Sequence, residues 1–235
     1  MAKQQQVKYY KGDLIKFEFY DLVDFYDPIL RKPTTPFDFN QPNAIAKAEY
    51  ISFSLAETLD KLGGLGLSAN QVGLSDRVCV INMGDSIWTM FNPVLVESSL
   101  TTADYAEGCL SYPGLYLKLS RADHIKVKFQ AIGGQEVEKE FDGLTAVVIQ
   151  HELDHLDGKV FTDAVSSIKL DQAKRKIKKN VKKMIAYNQA QAKAAEQHKE
   201  QEQQTIITPA PEPKITILEP KVEPKTPQMF SYSTD

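Results

Sequence analysis

The sequence predicts an α+β fold, in which mostly antiparallel sheets pack around a central helix, with one helix on its N-terminal side and one on its C-terminal side. Two observations lead to this prediction. Between residues 77 and 141, several runs alternate apolar and polar side chains in the way that half-buried strands do. The apolar run at residues 144–149 then leads into a polar motif suited to a helix. Strands that precede a helix as a block, instead of alternating with helices, favour an antiparallel sheet.

The N-terminal part is predicted to contain one extended segment and one helix. Residues 1–42 are expected to be irregular and wrapped on the core, because Asp27-Pro28 and Lys32-Pro33 interrupt regular structure. The helix is predicted to start at Asn43, whose side chain can cap it, and to end at Gly63-Gly64. Its apolar residues fall at helical spacing, and they are Ile51, Leu55, Leu59 and Leu62.

Four strands are predicted after this helix, at residues 77–83, 86–96, 123–131 and 136–141. Gly133-Gly134 supplies a hairpin turn between the last two.

Two stretches between these elements are predicted to be irregular. Residues 64–73 are rich in glycine and other small residues, which let a backbone approach a neighbour closely, but no Gly-Lys-Ser/Thr follows as a phosphate-binding loop would require. Residues 106–114 place Cys109 beside a glycine and before a Pro-Gly turn. That is a poor strand interior and a suitable place for a thiolate ligand, although an inert buried cysteine is the alternative.

The composition fits one main globular domain with appendages. At 235 residues, 42% of them hydrophobic and 25% charged, the chain can bury a sizeable core, and its net charge of −3 indicates no nucleic-acid or membrane role for the whole chain. Residues 1–20 lack the apolar core of a signal peptide, and no stretch approaches the roughly 18 apolar residues of a membrane span. Two cysteines, Cys79 and Cys109, are too few for a disulfide framework, so we expect a reducing, cytoplasmic location.

The stretch Gln150-His151-Glu152-Leu153-Asp154-His155 predicts a metal site on the central helix. Residues four apart lie on one face of a helix, so His151 and His155 would direct two imidazoles to one point. Glu152 could reach a water at the metal without being a ligand, which is the position of a general base. Two surface histidines on an ordinary amphipathic helix are the alternative for this motif taken alone.

An open catalytic site requires a third protein ligand. One metalloprotease class extends the motif to H-E-x-x-H-x-x-G-x-x-H, and here Gly158 matches but Phe161 stands at the last histidine. Another class uses a later glutamate, and none follows His155 before Glu196. Cys109 is the remaining soft ligand in a suitable setting, and one cysteine with two histidines makes an open site for Zn²⁺ or Fe²⁺.

Three stretches, in this order, resemble the three motifs of the peptide deformylase family. They are Gly64-Leu65-Gly66-Leu67-Ser68-Ala69-Asn70-Gln71, Glu107-Gly108-Cys109-Leu110-Ser111 and the helix motif at 150–155. The resemblance covers roughly residues 20–170. It departs from the family at Ser68, where alanine is usual, and we expect this small-for-small change to be tolerated. The resemblance implies that Cys109, His151 and His155 bind the metal, with Fe²⁺ the usual ion and Zn²⁺ or Ni²⁺ able to replace it.

The implied reaction is hydrolysis of the formyl group from the N-terminal formyl-methionine of newly made polypeptides. By the same resemblance, Glu152 is the general base, and the Gln71 side-chain amide and the Leu110 backbone N–H donate to the formyl oxygen. Glu107 and Arg121 match a pair that supports the metal loop. A hydrogen-bond partner for one of the ligand histidines is also expected, but the sequence does not indicate which residue it is. The implied substrate-binding residues are Leu65, Gly66, Gly108, Leu144 and Val147.

Two other function classes remain open on the residues alone. Another metal hydrolase, such as a peptidase, is disfavoured by Phe161 at the place of the late histidine. A non-catalytic metal-binding module is disfavoured because Glu152 and Gln71 are both present.

The C-terminal part predicts two appendages to a catalytic domain of residues 1–170. Residues 171–199 are predicted to form a basic helix, which carries seven basic residues and one acidic residue between positions 171 and 183, a net +6. We expect contact with the ribosome through residues 171–185 of this helix, and no membrane partner. Residues 200–235 are rich in Gln, Pro, Thr and Lys and are predicted to be a disordered tail.

Overall fold

A computed structural model describes residues 6–10, 13–179, 182–183, 186–187 and 189 of the chain. The chain divides into two units, Met1–Lys182 and Lys183–Asp235, and all the elements below belong to the first. The tail at 200–235 lies outside the described residues, as do most residues of the predicted basic helix beyond 179.

Strands in the described part of the chain form three antiparallel sheets. Two are two-stranded, β1-β2 and β6-β7, and the third has five strands in the order β3-β4-β5-β8-β9. The strand bounds are β1 Gln6–Tyr10, β2 Asp13–Phe17, β3 Gly66–Ser68, β4 Val78–Asn82, β5 Ile87–Ser98, β6 Thr102–Cys109, β7 Tyr112–Ala122, β8 His124–Gln130 and β9 Glu136–Asp142. The predicted α+β class with antiparallel sheets is confirmed.

Three α-helices accompany the sheets among the described residues: α1, Ala44–Leu62; α2, Gly143–Leu156; and α3, helical over residues 167–179. Helix α1 ends at Gly63, whose left-handed φ of 65° is the predicted stop. Its start differs from the prediction in detail. Asn43 occupies the N-cap position with a left-handed φ of 61°, and its side chain makes no capping hydrogen bond. Asn43 therefore turns the backbone before the helix but does not cap the helix through its side chain.

The structure contains strands in three stretches where the sequence predicted none. Strand β3 lies in the predicted glycine-rich loop, β1 and β2 form a hairpin in the segment expected to be irregular, and β6 and β7 flank Cys109. Strand β6 escapes pattern analysis because Glu107 is its one buried residue, so it has no apolar alternation. Strand β7 does carry a signal, since Leu115, Leu117 and Leu119 alternate and are buried.

Helix α2 lies at the centre of the fold, where it contacts the five-stranded sheet and strand β7. Ala146, Ile149 and Leu153 pack against the five-stranded sheet, in the same cluster as Ile125 and Val127 of β8. A second cluster joins α1 to β4, and a third joins β7 to Phe161 and α3. Within the described residues, no helix has both the length and the apolar character needed to cross a membrane.

The N-terminal segment before α1 wraps around this core, as expected. The Val23 N–H donates to the Gln71 carbonyl at 2.9 Å, and the Thr34 N–H donates to the Leu156 carbonyl at the end of α2 at 2.8 Å. The segment passes so close to Gly158, φ 73°, that a Cβ there would lie 2.9 Å from the Arg31 carbonyl oxygen. Glycine after α2 thus permits both the left-handed turn and the close approach.

Candidate active site

Helix α2 presents the three polar residues of the H-E-x-x-H motif to one buried location. His151, Glu152 and His155 are 7%, 3% and 0% exposed. The two imidazole rings lie 4.9 Å apart between centroids, as expected for positions i and i+4. Burial of three ionisable groups on one helix requires partners or an ion.

The β6–β7 hairpin brings Cys109 to these histidines. Strand β6 ends at Cys109, where the pairing with β7 shifts: Gly108 pairs with Tyr116, but Cys109 pairs with Tyr112. The extra residues on β7 bend the hairpin end, as a β-bulge does. Cys109 Sγ lies 3.2 Å from His155 Nε2. Ligand atoms of Cys109, His151 and His155 all lie within 4.8 Å of one another.

This donor set fits a divalent metal ion. Ions bound by thiolate and imidazole at about 2.0–2.3 Å have ligand atoms roughly 3–4 Å apart, which is the scale of this cluster. His151 Nδ1 is occupied by a hydrogen bond with Glu107 Oε2 at 3.0 Å, which leaves Nε2 as the ligand atom. Three protein ligands leave one coordination position open, as catalytic sites do.

The partner of His151 that the sequence could not name is therefore Glu107. Arg121 holds this carboxylate with two hydrogen bonds, of 2.7 and 3.0 Å, and bonds Asp154 of α2 at 2.6 Å. Because Arg121 bridges β6 and α2, it ties the strand that carries Cys109 to the helix that carries the histidines. The pairing of Glu107 with Arg121 implied by the resemblance is present in the structure.

Gln71, in the short helical turn after β3, lies next to the cluster of Cys109, His151 and His155. It is 1% exposed, and its Oε1 accepts from the Ser68 N–H at 2.8 Å. Its Nε2 donates to Ser111 Oγ at 3.1 Å and lies 3.5 Å from Cys109 Sγ. The side-chain amide is thus fixed, with its nitrogen between Ser111 and Cys109. Leu110 lies in the turn that follows Cys109.

The Glu152 carboxylate lies between two residues of β3. Ser68 Oγ donates to Glu152 Oε2 at 2.6 Å. On the other side, a Cβ built on Gly66 would lie 2.5 Å from Glu152 Oε1, so only glycine leaves room for this oxygen. The sequence predicted only that a small residue is tolerated at Ser68, and its contact with Glu152 was not predicted.

A cavity of about 370 Å³ opens over the cluster. All five residues predicted to bind substrate line it, as do Gln71, Glu152 and Leu110. Two further lining residues, Tyr105 and Tyr116, were not identified from the sequence. Tyr116 could have been, because it alternates with the buried Leu115 and Leu117 of β7. Tyr105 carries no such signal, because Glu107 is the one buried residue of β6. The predicted lining residues are Leu65, Gly66, Gly108, Leu144 and Val147.

Charges in the site favour a cation at the ligand cluster. Burial acts to lower the pKa of His151, but hydrogen bonds with Cys109 and Glu107 and the charge of Glu152 outweigh it and raise the pKa to about 10. Burial, together with the His151 charge, lowers the pKa of His155 well below its usual value, so that this imidazole is neutral. The anionic groups around His151 therefore attract positive charge to the point where the ligands converge.

Phe161 occupies the position that a third histidine has in the extended motif. It is 1% exposed, and its ring lies 5.7 Å from the His151 ring and 5.6 Å from the Tyr112 ring. Its ring packs behind His151, while the third residue of the candidate metal cluster, Cys109, comes from the β6–β7 hairpin.

Comparisons with known proteins agree with this arrangement. The family model for polypeptide deformylase matches residues 19–171. Peptide deformylase from Thermotoga maritima is 39% identical over 153 residues, 64% of this chain and 89% of the relative. Peptide deformylase 2 from Xanthomonas axonopodis pv. citri is 39% identical over 164 residues, 68% of this chain and 95% of the relative.

Solved structures of deformylases share the fold. The crystal structure of peptide deformylase from Thermotoga maritima has a TM-score of 0.59 and 36% identity, covering 63% of this chain and 98% of that one. The peptide deformylase from Legionella pneumophila has a TM-score of 0.63 and 32% identity, covering 72% and 98%. With a Cys-His-His cluster inside the matched region, the chain belongs to the polypeptide deformylase family, the metal-dependent hydrolases that remove the N-formyl group from new polypeptides.

Proposed function

We propose that Cys109, His151 and His155 bind one divalent metal ion, with Fe²⁺ the native ion and Zn²⁺ or Ni²⁺ able to replace it. The observation that carries the proposal is the convergence of the three ligand atoms within 4.8 Å, in a cavity that also contains Glu152 and Gln71. One thiolate and two imidazoles suit iron and zinc alike, and the family resemblance favours iron. The bound ion supplies the Lewis acidity that makes water nucleophilic near neutral pH.

Glu152 is the general base of this proposal. The attacking water forms a bond to the formyl carbon and gives a proton to the Glu152 carboxylate. The carbon–nitrogen bond then breaks, formate leaves, and the same proton passes to the departing amine. Burial raises the pKa of Glu152, partly offset by the His151 charge and the Ser68 hydrogen bond, and a raised pKa suits a group that both takes and returns a proton.

Gln71 and Leu110 stabilise the oxygen of the formyl group as it gains negative charge. The Gln71 amide is held at Oε1 and Nε2, so it needs little reorganisation when the charge develops. The Leu110 backbone N–H follows the ligand Cys109 directly. Losing one such donor typically costs about 10²–10³ in rate.

The substrate lies as an added strand along β3. Leu65 and Gly66 pair with its backbone and Gly108 lies opposite, while the methionine side chain enters the apolar part of the cavity. Leu144 and Val147, two turns and one turn before His151 on α2, line that part. Tyr116, 67% exposed at the cavity rim, offers an apolar surface to the residues that follow.

A formate-release assay on a formyl-methionyl peptide tests the proposal. Wild-type enzyme loaded with Fe²⁺ or Ni²⁺ is expected to release formate, and Glu152→Ala is expected to keep the metal and lose turnover. Near-wild-type turnover by Glu152→Ala would refute the role of this residue as base. Cleavage of an unformylated peptide would identify a peptidase instead.

We also propose that the exposed face of α3 contacts ribosomal RNA. Ala173 and Ile177 pack against the cluster of β7 and Phe161, which turns the basic residues outward. The exposed basic residues between 171 and 179 are Lys174, Arg175, Lys176, Lys178 and Lys179. Such a face binds phosphates in a salt-dependent way.

Co-sedimentation with ribosomes tests this contact. Glutamate at positions 178, 179, 182 and 183 is expected to abolish co-sedimentation and to leave turnover of a free formyl peptide unchanged, because the four changes leave every residue that lines the cavity unaltered. Binding that survives the four changes contradicts the proposal. We also propose a cytoplasmic location, in which the Cys109 thiol stays reduced and available as a ligand. Cell fractionation tests this location.

A further inference from the structure

We infer that Ser68 is a positioning residue for the proposed general base: its hydroxyl anchors Oε2 of Glu152 and leaves Oε1 as the oxygen that exchanges protons in the cavity. This inference rests on the proposed role of Glu152. It goes further by assigning different tasks to the two carboxylate oxygens and by giving a function to a residue that is neither a proposed metal ligand nor part of the cavity lining.

The hydrogen bond between Ser68 and Glu152 is short and buried. Ser68 Oγ lies 2.6 Å from Oε2, within the range of hydroxyl bonds to ionised carboxylates, and 3.1 Å from the Glu152 carbonyl. A hydroxyl has one proton, and the shorter distance places it on the carboxylate. Ser68 is 0% exposed and Glu152 is 3% exposed, so water does not compete for this bond from bulk solvent.

An anchor is needed because the last torsion of a glutamate side chain is soft. Its distribution is broad and twofold, so a free carboxylate rotates and exchanges its oxygens. Holding Oε2 fixes the plane of the group. Oε1 then lies against Gly66, a residue of the cavity wall, where a Cβ would come within 2.5 Å of it.

Ser68 is itself rigidly held. It is the last residue of β3 and pairs with Cys79 of β4, and its backbone N–H donates to Gln71 Oε1 at 2.8 Å. One residue thus holds the base through its hydroxyl and the proposed oxyanion donor through its backbone. Replacement by alanine removes the first contact and keeps the second.

The test is steady-state deformylation of a formyl-methionyl peptide by Ser68→Ala. We expect kcat to fall about tenfold, the order of one hydrogen bond to a charged group, with KM within twofold and metal content unchanged. Ser68→Thr keeps a hydroxyl and is expected to retain more of kcat than Ser68→Ala. Ser54→Ala is the matched control, since Ser54 is also fully buried and its hydroxyl accepts from the Glu18 N–H outside the cavity. Its kcat is expected to equal that of wild type.

Three results would overturn the inference: a kcat of Ser68→Ala within twofold of wild type, a loss that follows KM or metal content, or a kcat of Ser68→Thr below that of Ser68→Ala. Glu152→Ala separates this failure from failure of the proposed function. If Glu152→Ala turns over normally, the base assignment fails. If Glu152→Ala is inactive while Ser68→Ala has wild-type kcat, only the positioning role of Ser68 fails.

Discussion

Gly66→Ala is the substitution that most directly tests whether the Glu152 carboxylate must lie where the structure places it. The new Cβ would lie 2.5 Å from Glu152 Oε1 and 2.9 Å from both Cδ and Cγ. The backbone of Gly66 is ordinary strand, so alanine brings no strain of its own. Only the clash between the new Cβ and the Glu152 carboxylate must be relieved, and about 1 Å of carboxylate movement restores a normal van der Waals separation.

The expected result is a loss of roughly 100-fold in kcat/KM, because misplacement of a catalytic group by about 1 Å has that order of effect. Overpacking of this kind also costs about 1–3 kcal/mol of stability. The metal content should stay at the wild-type level, since the three heavy atoms nearest to the new methyl group all belong to Glu152, which is not a proposed ligand. Formate release and elemental analysis on the same preparation measure both quantities.

Gly133→Ala supplies the matched control. Its Cβ would lie 2.6 Å from the side-chain amide of Gln135, an exposed and flexible group that can move away at little cost. We expect wild-type kcat/KM for this variant. If Gly66→Ala also keeps kcat/KM within threefold of wild type, the reasoning about the carboxylate position is refuted. A loss accompanied by missing metal would mean that the ligands were disturbed.

Three further predictions concern the groups around the metal ligands. Cys109→Ser should lower metal occupancy measured by elemental analysis, because a hydroxyl is a poor substitute for a thiolate, and full occupancy would remove Cys109 from the site. Arg121→Met should lower the free energy of unfolding in urea by about 3–5 kcal/mol, since it breaks the buried ion pair with Glu107; a loss below 1 kcal/mol would contradict this. Phe161→Ala should cost about 3–5 kcal/mol in the same assay by opening a cavity behind His151, and an unchanged urea midpoint would count against that packing.

Local periodicity explains what could be predicted from the sequence. The spacing of His151 and His155 predicted two ligands on one helix face because i and i+4 residues are neighbours in any helix. Gly63 predicted the end of α1, and the alternation in β8 predicted a half-buried strand. Because Phe161 stands where a late histidine would be and no glutamate is nearby, Cys109 remained as the candidate for the third ligand. The structure places Cys109 beside His155.

Other features could not be predicted correctly because no local sequence pattern encodes them. Strand β6 was missed since its single buried side chain is the charged Glu107, and Asn43 was expected to cap α1 although its backbone turns left-handed there. Tyr105, which lines the cavity from the same strand as Glu107, was not predicted either. In each case the residue type is compatible with several local structures, and packing partners distant in sequence select one.

The sequence by itself therefore determined the H-E-x-x-H helix, the antiparallel α+β class and the family resemblance, all of which depend on residues close together in the chain. Only the tertiary structure decided which side chains from distant parts of the chain contact each other. Glu107 and His151 are 44 residues apart, and Ser68 and Glu152 are 84 residues apart. Their hydrogen bonds exist because the β6–β7 hairpin and strand β3 both pack against α2, and the register of those contacts is set by the folded core.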